Sequence, residues 1–155
     1  MLERTLVLLK PCTVERALIG EIINRFEKKG LRIAGMKMLQ LDDDILAEHY
    51  AHLKDKPFFG ILKASMMKTP VVAMCLEGID AITVVRNITG DTNGRKADPG
   101  TIRGDYCMSN QQNIVHASDS PAAAAEAELA RFFRPEEIFD LKDMNLNRLY
   151  AVDEL

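Results

Sequence analysis

The apolar positions along this chain change period at regular intervals, and the changes mark its elements. "RTLVLLK", residues 4–10, is an apolar run between charged ends with Pro11 after it, which predicts a buried strand. Val14, Leu18, Ile22 and Phe26 then recur every fourth residue through "VERALIGEIINRFEKKG", predicting one amphipathic helix closed by Lys28, Lys29 and Gly30. "LRIAGMKMLQL" predicts a second strand interrupted by one glycine, and Asp42 to Asp44 are the cap of a short helix reaching about Leu53. "KDKPF" is a turn, "FFGILKASMM" a short helix, "PVVAMCLEG" (70–78) a strand, and "IDAITVVRNITG" a helix ended by Gly90.

Periodicity then lapses. Asp91 to Gln112 is polar, with several Gly and Pro, and reads as a loop of roughly twenty residues, a length that in a compact domain usually signals function. "NIVHAS" predicts a short strand, and Ser120-Pro121 an N-cap with proline at the first helical position of "PAAAAEAELARFF". Residues 135–155 read as a C-terminal tail over the body or a neighbouring subunit, within a single domain of residues 1–155. Four strands thus alternate with helices, a pattern that fits a parallel doubly wound sheet and an antiparallel split βαβ arrangement equally.

Composition narrows the function classes. A net charge of −3 and a pI of about 5.6 argue against duplex nucleic acid as a partner and leave room only for a local basic pocket. Cys12, Cys75 and Cys107 are odd in number and outside any C-x-x-C pair, so neither a disulfide framework nor a zinc knuckle is expected, and a reducing cytoplasm fits. No apolar stretch has the length of a secretory signal or membrane span. The terminal Val-Asp-Glu-Leu lacks the basic residue of a retention signal, and the Asn87-Ile88-Thr89 sequon carries no weight in a cytoplasmic protein.

The candidate chemistry is sparse. "GDTNGRK" (90–96) has three residues between its glycines and no Lys-Ser/Thr, so it is no P-loop, and G-x-G-x-x-G is absent. His49 and His52, spaced i, i+3 with no third ligand in view, read as surface or partly buried histidines rather than a metal pair. His116 differs: it stands at a strand end before Ser118, Asp119 and Ser120 and a helix N-terminus, where an imidazole can serve as base, nucleophile or phosphate acceptor. Lys10, Arg86 and Arg103 are cations that would serve a polyphosphate if the fold brings them together.

"RTLVLLKP", "LIGEIINRFEKKG", "HYAHLKDKPFF", "PVVAMCLEG", "PGTIRGDY" and "NIVHASDS", in this order, resemble the nucleoside diphosphate kinase family over nearly the whole chain. The resemblance implies an α+β, ferredoxin-like split βαβ sandwich, a four-stranded antiparallel sheet covered by helices, assembled as a homo-hexamer or tetramer. The length of the tail beyond Asp140 leans toward the hexamer. It implies ping-pong phosphoryl transfer between nucleoside tri- and diphosphates through phosphohistidine on His116, with Mg²⁺ bound mainly through the nucleotide phosphates. Lys10, Arg86, Thr92 and Arg103 match phosphate-contacting positions, Lys10 and Asn113 those reaching the sugar, Phe58 the aromatic that stacks on the base, and Tyr50 a residue beside the histidine. Ser118 is a supporting hydroxyl, and Glu128 is expected to orient the ring, with Glu126 the alternative because one extra residue precedes "AELARFF".

The chain also departs from the family pattern. Cys12 stands for an aspartate, Ala117 for the glycine after the histidine, Asn110-Gln111 for a smaller pair near the base, and Lys56 for an arginine. Ala117 is the most consequential, since glycine reaches backbone conformations a Cβ forbids. Two further readings of the chain are therefore a catalytically weak nucleotide-binding regulatory protein and a phosphohistidine carrier to a protein acceptor.

Overall fold

The computed structural model describes residues 2–119, 121–141 and 145–155. Its centre is a four-stranded antiparallel sheet made by β1 (Leu2–Leu9), β2 (Arg32–Leu39), β3 (Val71–Ile79) and β4 (Val115–Ala117), in the order β2-β3-β1-β4. Both β1 and β2 run antiparallel to β3, so they are parallel to each other with β3 inserted between them. Likewise β3 and β4 flank β1. Two interleaved split βαβ units result, the ferredoxin-like α+β arrangement, and this decides between the two topologies that the pattern left open.

Both sheet faces are covered, which explains the unbroken apolar runs. In β1, Val7 and Leu9 pack in one core with Ile22, Phe26, Val85 and Ile102, while Leu6 and Leu8 pack in the other with Leu46, Met66, Leu129 and Phe132. The first core lies under α2 (Ile19–Lys29), α5 (Ala81–Thr89) and α6 (Ile102–Tyr106); the second lies under α3 (Asp43–His49), α4 (Phe59–Met67) and α7 (Ala122–Phe132). Each fully buried leucine or phenylalanine contributes about 1.5–3 kcal/mol.

Several local expectations change. The single helix expected from Val14 to Gly30 is two, α1 (Pro11–Glu15) and α2, with Ala17 between them at φ +55°. The fourfold spacing continues across the break, but Thr13 donates its hydroxyl to the Ile114 carbonyl and ties α1 to the end of β4, while Ile22 and Phe26 seat α2 on the sheet. The stretch 91–112 is not structureless: Thr101 caps α6 by accepting from Gly104 N, and Ile102 and Arg103 are buried. Asp42 does cap α3, accepting from Ile45 N at 2.9 Å. Pro121 is extended and precedes α7 rather than opening it; Ser120, the expected cap, lies outside the described residues.

The described parts of the tail bond to the sheet of the same chain. The glycine expected to interrupt β2 sits at a bulge between Ile33 and Gly35, and the bulged Ala34 carbonyl accepts from Phe139 N at 2.8 Å. A Cβ on Gly35 would meet the Glu137 carbonyl at 2.8 Å, so only glycine lets the tail pass this close. Further along, Ile79 N donates to the Tyr150 hydroxyl at 2.9 Å, past α8 (Leu146–Leu149). Among the described residues, no helix is long and apolar enough to cross a membrane.

Candidate active site

The site begins with the pairing of β4 against β1, in which His116 stands opposite Leu8. Side chains alternate along a strand. Val115 and Ala117 therefore enter the core beneath α2 and α5, and His116 faces the other side, toward α3 and α7. Its Nε2 lies 3.0 Å from Oε2 of Glu128 on α7, and the Ser118 hydroxyl donates to that same oxygen at 2.6 Å. A carboxylate only accepts, so Nε2 carries the proton and the Nδ1 lone pair is left free. Burial alone would raise the Glu128 carboxyl, but the hydrogen bonds from His116 Nε2 and the Ser118 hydroxyl outweigh it and bring the group down to about 2. Glu126, the alternative, is exposed elsewhere on α7.

A strained turn sets the height of His116. Val115 N donates to the Asn113 carbonyl at 2.8 Å across Ile114, whose φ is +74°. That is a γ-turn with a β-branched residue in the left-handed region, at a cost of about 1–3 kcal/mol. Arg103 holds it from both flanks: Nε donates to the Asn113 carbonyl at 3.0 Å, Nη2 to Val115 O at 2.6 Å and Nη1 to Gly90 O at 3.0 Å. Its guanidinium, 6 % exposed, thereby spends three of its five donors on backbone and keeps two.

These groups open onto a cleft of about 520 Å³ whose lining also includes Lys10, Tyr50, Phe58, Arg86, Thr92 and Asn113. Of the residues selected from sequence, Ser118 and the alternative Glu126 are not in the lining; Ser118 is buried and bonded to Glu128. Lys10, following β1, donates to Asn113 Oδ1 at 2.7 Å, and Asn113 in turn donates from Nδ2 to the carbonyls of Thr92 and Asn110. Burial, then the charge of Arg103, bring the Lys10 ammonium down to about 8. At the rim Arg86 pairs with Asp119 at 2.5 Å, and Phe58 stands half exposed ahead of α4 while Phe59 turns into the core. Tyr50 is buried, its hydroxyl pushed up to about 12 by burial and then by Glu128.

One residue was misjudged from spacing. His49 is 5 % exposed and stands edge-on to His116, ring centroids 4.6 Å apart, whereas His52 is exposed on the adjoining turn. The only signal was its place beside Tyr50 in "HYAHLKDKPFF".

The departures are accommodated. Ala117 lies in regular strand without positive φ, its Cβ in the core, so the substitution costs no backbone strain there. Cys12 packs half-buried against the same core, and Lys56 is exposed outside the cleft's lining, while Asn110 and Gln111 line it.

A cleft with three cations, an exposed aromatic at its mouth and a carboxylate-oriented imidazole at its floor fits an anionic, ring-bearing ligand. The family model for nucleoside diphosphate kinase matches residues 3–138. A nucleoside diphosphate kinase of Parabacteroides distasonis is 66% identical over 153 residues, 99% of each chain. Nucleoside diphosphate kinase A of Homo sapiens is 47% identical over 148 residues, 96% of this chain and 97% of its own. The structure of a halophilic nucleoside diphosphate kinase from Halobacterium salinarum in complex with CDP superposes with a TM-score of 0.92 at 43% identity, covering 96% of this chain and 98% of that one. Fold, cleft and sequence agree, and this chain belongs to the nucleoside diphosphate kinase family.

Proposed function

We infer that the chain carries out the nucleoside diphosphate kinase reaction of its family through a phosphohistidine on His116. The observation that carries this reading is the Glu128–His116 pair, which protonates Nε2 and leaves Nδ1 free at the floor of a cationic cleft. Nδ1 attacks the γ-phosphorus of a nucleoside triphosphate. The N–P bond forms as the bond to the bridging oxygen breaks, and the diphosphate leaves with the electron pair. Glu128 stabilises the imidazolium character that the ring acquires, and the reverse step delivers the phosphoryl group to a second diphosphate in the same cleft.

Lys10, Arg86, Arg103 and Thr92 hold the phosphates in line and offset their charge; Lys10 and Asn113 reach the sugar. Phe58 stacks on the base, and stacking tolerates any base. Tyr50 walls the floor beside the two histidines. The halobacterial relative in complex with CDP supports a nucleotide in this position. The cleft's two carboxylates are already engaged, Asp119 by Arg86 and Glu128 by His116 and Ser118, a setting that suits Mg²⁺ carried in on nucleotide phosphates rather than an all-oxygen protein cage. When bound, Mg²⁺ supplies charge neutralisation across the phosphates.

Residues 1–155 act as one domain, a reading supported by the tail's bonds to β2 and β3, and assemble as a homo-hexamer, with a tetramer the alternative. Exposed Met36 and Met38 on edge strand β2 favour subunit contact. Three free cysteines favour a reducing cytoplasm.

The test is to incubate the protein with γ-labelled ATP and Mg²⁺ and then add unlabelled GDP. Acid-labile label that chases into GTP supports the kinase route; label that stays on the protein favours a carrier, and no label despite ATP binding rejects the phosphohistidine. Lys10 adds a pH signature. Its charged form binds phosphate, so with an ammonium pKa of about 8 in the empty cleft, KM for the nucleotide rises as pH climbs past that value. Lys10→Arg, charged throughout, flattens the profile; an equal rise in both proteins would clear Lys10 of the effect.

A further inference from the structure

The phosphoryl-transfer scheme leaves His49 unused, and its position is costly. The residue is 5 % exposed, yet among the described residues neither ring nitrogen has a hydrogen-bond partner. A buried polar atom left without a partner costs about 1–3 kcal/mol. The ring is fixed edge-on by Tyr50 at 4.7 Å and Phe132 at 5.1 Å, so the orphaned nitrogens have a set direction.

One nitrogen of His49, one of His116 and a carboxylate oxygen of Glu128 lie within 4.8 Å of one another. Two imidazoles and a carboxylate are a donor set suited to zinc, with the fourth position open to water. It differs from the all-oxygen, octahedral preference of Mg²⁺. Zinc about 2.0–2.1 Å from each donor sets the donors about 3.4 Å apart. The His116–Glu128 pair already stands at 3.0 Å, and the widest separation closes with about 1.4 Å of side-chain movement. The three groups border the cleft, which gives an ion its entry path. An ion bound at Nε2 of His116 shifts that nitrogen's proton to Nδ1, so the neutral ring ligates and gives up its nucleophilic lone pair.

We propose that His49, His116 and Glu128 form a binding site for a borderline transition-metal cation, and that occupation of this site shuts off phosphoryl transfer. The second half rests on His116 being the nucleophile; the first does not. A bound ion takes up an imidazole nitrogen of His116 together with the carboxylate that orients its ring. Nucleotide turnover and bound metal then exclude each other.

The experiment uses Zn²⁺ for affinity, by calorimetry against a competing chelator, and Co²⁺ for geometry, by its visible absorption, both on nucleotide-free protein. The expected result is one ion per subunit with tetrahedral or five-coordinate Co²⁺ bands. Affinity should fall about tenfold or more in His49→Asn and in Glu128→Gln, and should be retained in Cys12→Ser, which controls for the half-buried thiol. Glu128→Gln keeps the test in force should His49→Asn fail to fold. In the presence of excess Mg²⁺, Zn²⁺ should inhibit the wild type and spare whatever turnover His49→Asn retains. Equal Zn²⁺ affinity in wild type and both variants overturns the site. Tight binding with undiminished turnover overturns the shut-off alone, and a failed γ-label assay would reject the kinase route while leaving the Co²⁺ result standing.

Discussion

His116→Asn should lower kcat for phosphoryl transfer by about 10⁴-fold or more while leaving nucleotide affinity within a few-fold of wild type. Asparagine keeps polarity and approximate size but offers no nucleophilic nitrogen. Arg86, Thr92 and Phe58 are untouched by the change, and the bonds of Lys10 to Asn113 and of Arg103 to the turn do not involve the imidazole. The cleft therefore still receives a nucleotide. His49 cannot substitute, because its ring is almost wholly buried and held edge-on by Tyr50, His116 and Phe132. The measurement is a coupled assay for kcat beside a direct titration with ADP. Turnover within tenfold of wild type would show that the phosphoryl group passes directly between nucleotides, and a parallel loss of ADP affinity would mean that the substitution had damaged the cleft itself.

How far the sequence disclosed this molecule depends on the range of the forces involved. Local rules read the strands, α5 with its terminal Gly90, and Asp42 as a cap, because each depends on neighbours a few residues away. The pattern failed where distant contacts decide. Nothing near Ala17 announces the break between α1 and α2; it follows from Thr13 bonding to Ile114, about a hundred residues on. The helix α6 was lost in a polar stretch because its anchors, Ile102 and Arg103, are held by partners outside that stretch. Continuous apolar runs left the sheet's direction undecided, since covering both faces erases the alternation that marks a one-sided antiparallel sheet. At the site, the motifs selected residues that the fold does bring to one cleft, and of Glu126 and Glu128, about half a helical turn apart, it is Glu128 that reaches the His116 ring. Spacing does not disclose His49, because its place is set by the rings packed around it, Tyr50 just past α3, His116 on β4 and Phe132 on α7.

Arg103→Met should cost about 3–5 kcal/mol of stability, because it leaves buried carbonyls without their charged partner. For a chain of this length each kcal/mol lowers Tm by about 2–4 °C, so the expected fall is on the order of 6–20 °C. Three carbonyls lose their donor at once, those of Gly90, Asn113 and Val115. Two of them flank Ile114, whose left-handed backbone persists only while its surroundings hold it. When the turn relaxes, β4 shifts against β1 and His116 moves with it, so kcat should fall beyond what lost phosphate contact alone explains. Arg103→Lys separates the two roles. Lysine restores the positive charge but has no planar fork to reach three diverging carbonyls. If the turn is what matters, Arg103→Lys should melt nearly as low as Arg103→Met and recover little turnover. Recovery of both Tm and kcat in the lysine variant would mean that charge, not the three-way bond to the turn, is what Arg103 contributes.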